Sequence, residues 1–510
     1  MSADYGRVKN ALKQLGLEES LIHLWHYSRL ICNGEPLPHG YRHVDGLGVH
    51  MRLERFAFPH QLDLLAREVM LHADRSGRRG VRSLRQWGDL ATAMNAIRYY
   101  GDAVFDGDKD GGVLLTLHRI AHQQLSRSSM TRTRMGRYLA LYRFQSLSPF
   151  FRTGIGIDVD SYFAMAFAAI SASNQRPCSN RSTDYSCLGV DQAASEIFFS
   201  RIVGSADEIR NKLINEQRLG DCWEYTLNAL HFKPLVAFDA KHPERLICPL
   251  PHAVESRLTE GIFFDVFCKE RSFAQAYGDA VEYIVGRMLC SLPPRYAHYK
   301  PAKEVIGKAV YGGTDWIVHD GETTAYIECK AKRLALPGRV AEKLEDLRRE
   351  IGHLAEAVLQ NYKNIDRATR ASDAGATSQA HIFSVVVTLE DWLLFSPVAT
   401  ELLDDLVTEG LQKAGLATEL RTRVPYLIFG AETFQYAIAA MQHHPMSEVL
   451  GGLLKPEHKG WVPSAYLHKQ YPGLDPASIG NFDQDFDTVV GSILSEAESR
   501  KATGLLASAS

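Results

Sequence analysis

The stretch Gly312–Arg333, "GGTDWIVHDGETTAYIECKAKR", constrains the fold more than any other part of the chain. Apolar and polar residues alternate on either side of Asp320-Gly321. That dipeptide favours a tight hairpin, because glycine tolerates positive φ and aspartate accepts it with a small penalty. A two-residue loop there pairs His319 with Glu322 and sets Glu328 opposite Gly313. Asp315 then shares a face with Glu328 and lies diagonal to it, at a backbone separation of roughly 7–8 Å. Lys330 falls on the same face, because strand side chains alternate. Trp316, Val318, Ala325, Ile327 and Cys329 form the other face, an apolar one suited to a core. A four-residue loop gives the same pairing of faces, whereas a three-residue loop moves Asp315 to the opposite side unless a bulge restores it.

Two acids converging on one side of a hairpin repel, and the cation beside them in sequence is Lys330. One reading is a strand-end acid next to a solvated Glu328–Lys330 pair. The other is a bound cation, and hard oxygen ligands suit Mg²⁺ or Mn²⁺. On that reading the backbone carbonyl of Cys329 supplies a third ligand, and Lys330 orients and helps deprotonate an attacking water. Such an assembly suits in-line attack on a phosphodiester.

The order of elements around the hairpin predicts an α/β chain. To about residue 230 the pattern is mainly helical, as in His60–Ala73 and Ser205–Leu219, where apolar residues recur three and four apart. "FKPLVAFDA" and "RLICPLP" read as short strands. A helix carrying Phe273, Tyr277, Ala280, Ile284 and Met288 on one side follows them. Then come a strand at "EVIGKAVYG", the hairpin, a charged helix over about 340–365, and a strand at "HIFSVVVTL". This order implies a mixed sheet with helices on its faces. At 510 residues the chain is too long for one core. The expected division is a helical domain at 1–230, a second domain at 231–450, and an extension at 451–510 with a frayed tail.

These residues resemble the PD-(D/E)XK nuclease superfamily, whose pattern is an acid at one strand and acid-x-lysine on the next. Here the pattern reads "GTD" then "IECK", with Thr314 in the place of the proline. The helix with Phe273, Gly278 and Glu282 resembles that superfamily's preceding helix. "LQNYK", with Gln360 and Lys363, lies where some families place a glutamine near the site. The resemblance covers about 262–389 and implies a restriction-endonuclease-like mixed sheet. It implies Asp315 and Glu328 on Mg²⁺ (or Mn²⁺), Lys330 activating water, and Glu282 adding a ligand through water or holding a second ion. Taken by themselves, Gln360 and Lys363 read as solvated helix positions. The activity it implies is metal-dependent hydrolysis of DNA, in the setting of bacterial (antiviral) defence against foreign DNA. The alternatives are an RNA-cleaving nuclease of the same fold and a non-catalytic nucleic-acid-binding subunit.

A net charge of −3 leaves a polyanionic partner open, since a basic face can hide in a balanced total. Residues 111–157 contain no Asp or Glu, yet carry Arg127, Arg132, Arg134, Arg137 and Arg143 among their arginines. Such a stretch can contact phosphates, DNA before RNA on the reading above. Alternatively these arginines pair with acids elsewhere or bind a partner protein. A second cluster comprises Arg75, Arg78, Arg79, Arg82 and Arg85. A partner protein or a homo-oligomer stays open.

Other signals point away from further sites. The eight cysteines include no CxxC pair and suit a reducing compartment. The apolar run Tyr162–Ile170 is too short for a bilayer, and the first residues lack an apolar signal core, so a cytoplasmic chain without membrane contact is expected. "DGDKDGGV" (106–113) has Leu117 where an EF-hand needs glutamate. Asp158–Asp160 and His443-His444 have no partners at ligand spacing.

Overall fold

The computed structural model describes residues 4–41, 52–53, 57–76, 80–105, 112–124, 130–302, 304–306, 309–311, 313–372, 381–394, 396–458 and 460–491. The chain is α/β, with two mixed sheets. It divides into two compact units, one of residues 1–106, 148–267 and 488–510, the other of residues 107–147 and 268–487. This grouping departs from the expected boundaries at 230 and 450. The arginine-bearing segment belongs to the second unit, and most of the expected extension belongs there too. The segment 499–510, expected to fray, lies outside the described residues.

In the first unit, helices Leu17–Asn33, Pro59–His72 and Trp87–Val104 bury their apolar stripes in one core containing Leu21, Leu24, Tyr27, Leu65, Val69 and Ile97. A four-stranded sheet runs in the order Cys178–Asn180, Arg245–Ile247, Leu235–Ala237, Val203–Ser205. The two strands expected to open the second domain thus belong to this sheet. Helix Val159–Gln175 holds the apolar run and buries Tyr162, Phe163 and Met165, and Asp158 caps it by accepting the Ser161 N–H. No single helix among the described residues is long and apolar enough to cross a membrane.

In the second unit, a five-stranded sheet runs in the order Tyr426–Gly430, His381–Thr388, Thr323–Lys330, Trp316–His319, Ala297–Tyr299. The first three strands are parallel, and the last two pairings are antiparallel. "EVIGKAVYG" does not join this sheet. Its halves Glu304–Ile306 and Ala309–Tyr311 pair with each other, and Ala297–Tyr299 supplies the edge strand instead. The long helix Leu344–Ser372 buries Leu347, Ile351, Leu354, Val358, Tyr362 and Ile365 at helical spacing and packs on the two central strands. Helix Arg271–Leu289 packs on Thr323–Lys330 as well. Its Gly286 makes room for the hairpin's tryptophan: an added Cβ would stand 2.4 Å from Trp316 Cζ2.

The hairpin itself turns one residue later than expected. Asp320 N–H donates to Thr323 O (3.2 Å), while Thr323 N–H donates to Asp320 Oδ1 (2.8 Å). Gly321, at φ +94°, therefore takes the position that needs a left-handed backbone, and Asp320 closes the turn with its side chain. His319 pairs with Thr324, and Trp316 pairs with Ile327. One step further along this register, Glu328 faces Asp315 rather than Gly313. The slip is by two residues, so side chains keep their faces. Val318, Ala325 and Ile327 are buried on the apolar side.

Candidate active site

Asp315, Glu328 and Lys330 come together at the end of the hairpin away from its turn. Cys329 N–H donates to Asp315 Oδ2 at 2.7 Å. Since the N–H and C=O of a strand residue point toward the same neighbour, the Cys329 carbonyl also faces the Asp315 side. Lys330 Nζ donates to Glu328 Oε1 at 2.7 Å and to Gln360 Oε1 at 3.1 Å. Gln360, which read by itself as a solvated position, thus reaches the site. Lys363, on the same helix, is exposed.

Glu328 is 2% exposed, and its second oxygen, Oε2, has no hydrogen-bond partner among the described residues. A buried carboxylate oxygen left in this state is costly. Burial pushes the Glu328 carboxyl up to about 7, with repulsion from Asp315 adding to it and Lys330 opposing. Burial likewise pushes Asp315 up to about 6; the Cys329 N–H opposes the rise and the Glu282 charge adds to it. Glu282 therefore belongs to the same electrostatic neighbourhood. Its own carboxylate meets Lys300 Nζ at 2.5 Å, and Lys300 sits 4.8 Å from the Trp316 ring centroid. Sequence reasoning missed Lys300, whose approach depends on the edge strand lying at 297–299. Gly278 has no close neighbour for an added Cβ, so packing does not explain its glycine.

Among the described residues, no group of three or more His, Cys, Asp or Glu stands ready to hold a metal ion. The donor set at the hairpin is smaller: two carboxylates, one with a free buried oxygen, beside a main-chain carbonyl. Mg²⁺ is commonly held by one or two carboxylates together with waters and phosphate oxygens, so this set fits it.

The arginine-rich segment has a different fate. In helix Arg132–Arg143, Arg134 and Arg137 are buried, and both pair with Glu432, Arg134 at 3.6 Å and Arg137 at 3.3 Å. Arg137 also donates to Gln435 Oε1 at 2.7 Å. Neither guanidinium is presented to solvent, which corrects the expectation that they contact phosphate. The segment lacks acids because its partners come from distant sequence. Arg132 pairs with the Asp487 carboxylate and stays more than half exposed. Arg143, at the helix end, is half-buried. Arg127 lies outside the described residues. In the second cluster Arg75 pairs with Asp207, Arg82 approaches Asp89, and Arg85 donates to the carbonyls of His39 and Gly40; Arg78 and Arg79 lie outside the described residues. The "DGDKDG" segment (106–111) lies outside them too.

One further constellation has a catalytic look. In the first unit, His252 Nε2 is 2.8 Å from Asp63 Oδ1, and His252 Nδ1 is 3.4 Å from Ser28 Oγ. Ser28, however, is 2% exposed and lies inside helix Leu17–Asn33, so its N–H is committed to the helix and cannot serve an oxyanion. The three residues tie helices together through a buried polar network. Comparison with known protein families, curated proteins and solved structures returns no match for this chain.

Proposed function

We propose that this chain is a metal-dependent phosphodiesterase, and more particularly a nuclease of the PD-(D/E)XK kind acting on DNA. The observation that carries the reading is the buried Oε2 of Glu328, without a hydrogen-bond partner among the described residues, set beside Asp315 and on the face of Lys330. The succession of helix, edge strand, hairpin, long helix and parallel strand in the second unit supports a restriction-endonuclease-like arrangement.

Asp315 and Glu328 would hold Mg²⁺ or Mn²⁺, with the Cys329 carbonyl beside them and Glu282 close by. When bound, the ion supplies charge stabilisation to the transferring phosphoryl group. The remaining work falls to the chain. Lys330 is held by Glu328 and Gln360 on the reacting face, where its ammonium can orient a water and stabilise the hydroxide-like nucleophile. Cys329 N–H fixes one oxygen of Asp315. Lys300 neutralises Glu282 until substrate arrives. Defence against foreign DNA is the setting we attach to this activity.

The test is incubation with plasmid, single-stranded DNA and RNA, each with Mg²⁺ and with chelator. The reading expects cutting of DNA that chelator stops. Cutting of RNA alone would reassign the substrate, and no cutting of any substrate by a protein that binds them would favour a non-catalytic subunit.

A further inference from the structure

Thr314 precedes Asp315 and is buried. Its hydroxyl lies 2.8 Å from the Ile327 carbonyl, the residue before Glu328, and 2.8 Å from Asn361 Oδ1. Asn361 is also buried. Its amide donates to Tyr326 O (3.1 Å), Ser384 Oγ (3.2 Å) and Val385 O (3.1 Å). One side chain thus spans the strand bearing Glu328 and the next parallel strand, and Asn361 is the immediate neighbour of Gln360. Thr314 joins that same side chain to the segment bearing Asp315. A single hydroxyl cannot donate to two acceptors at once, so the proton is shared between Ile327 O and Asn361 Oδ1 in a three-centre contact.

We propose that Thr314 and Asn361 are positioning residues. They lock Asp315, Glu328 and the Gln360-bearing helix into one frame, so the carboxylates stay converged although they repel. Tyr326, Ile327 and Glu328 follow one another, so a tie on the carbonyls of the first two sets the position of the third. The proline that Thr314 replaces has no hydroxyl and could not make this contact. The inference rests on the metal-dependent reading.

The test compares Thr314→Val, which keeps shape and loses the hydroxyl, with Thr314→Ser, which keeps the hydroxyl. Mn²⁺ affinity is read from the electron paramagnetic resonance of free Mn²⁺, and nucleic-acid affinity is measured in chelator. Thr314→Val is expected to bind Mn²⁺ about 10–100-fold more weakly, the usual effect of losing an outer-shell partner. Thr314→Ser should bind nearly as the wild type, with nucleic-acid affinity unchanged in both. Should Thr314→Val fail to fold, Thr314→Ala against Thr314→Ser isolates the hydroxyl, since both lack the methyl. Wild-type Mn²⁺ affinity in a folded hydroxyl-free variant overturns the positioning role and leaves the metal site standing. No Mn²⁺ binding by the wild type overturns both.

Discussion

Helix Arg132–Arg143 and the hairpin Trp316–Lys330 are both conspicuous in sequence for their charges, and the fold treats them in opposite ways. In the helix, Arg134 and Arg137 find Glu432 and Gln435, and their charge is spent inside the second unit. In the hairpin, two carboxylates are brought together and one buried oxygen has no hydrogen-bond partner among the described residues. A run of like charges in sequence says little about function until its partners are known. A buried carboxylate oxygen with no hydrogen-bond donor among the described residues says more, because folding alone gives no reason to keep it.

The largest test of this contrast is substitution at the hairpin. Lys330→Ala should lower the cleavage rate by about 10²–10³-fold, the range for losing a group that stabilises charge as it develops in the reaction. Asp315→Ala and Glu328→Ala should do at least as much, with circular dichroism unchanged. Cleavage surviving in all three would move the chemistry elsewhere.

Next in size is Arg137→Ala. It should destabilise the protein by about 1.5–3 kcal/mol, the range for hydrogen bonds to a charged group, as read by urea unfolding. The salt dependence of nucleic-acid binding should not change. A reduced salt slope with unchanged stability would return Arg137 to the phosphate-binding role.

The pH dependence has a definite sign. The carboxyls of Asp315 and Glu328 are raised to about 6 and about 7, above their ordinary values near 4. Their contribution to stability is therefore complete below pH 4 and is lost as pH rises through 6 and 7. Without divalent ions the melting temperature should fall between pH 5 and pH 8, apart from the effects of other groups, and Mg²⁺ at pH 8 should raise it. Glu328→Gln should flatten both responses. The same protons compete with the cation, so activity should decline as pH drops below about 7.

The smallest effect is expected at Arg132, whose pair with Asp487 is half exposed. Arg132→Ala should change stability by at most about 1 kcal/mol. If this exposed guanidinium touches phosphate, the salt slope falls by about one.

Much of the hairpin was legible because face alternation survives any two-residue slip. The turn centre was not, since the sequence does not say that Asp320 would use its carboxylate as an acceptor and leave the left-handed position to Gly321 alone. The identity of the edge strand was also hidden: "EVIGKAVYG" alternates well enough for a sheet, yet its two halves pair with each other. The fate of Arg137 depends on Glu432, 295 residues away, and no local pattern carries that distance. Gln360 was in view from its position on the long helix, while its neighbour Asn361 gave no signal: a buried asparagine earns its place through contacts visible only in three dimensions.

The most direct measurement is calorimetric titration of Mn²⁺ into the wild type and into Glu328→Gln at pH 8. The account predicts saturable binding by the wild type, and its loss in a folded variant. Equal binding by the two proteins, or none by the wild type, would contradict it.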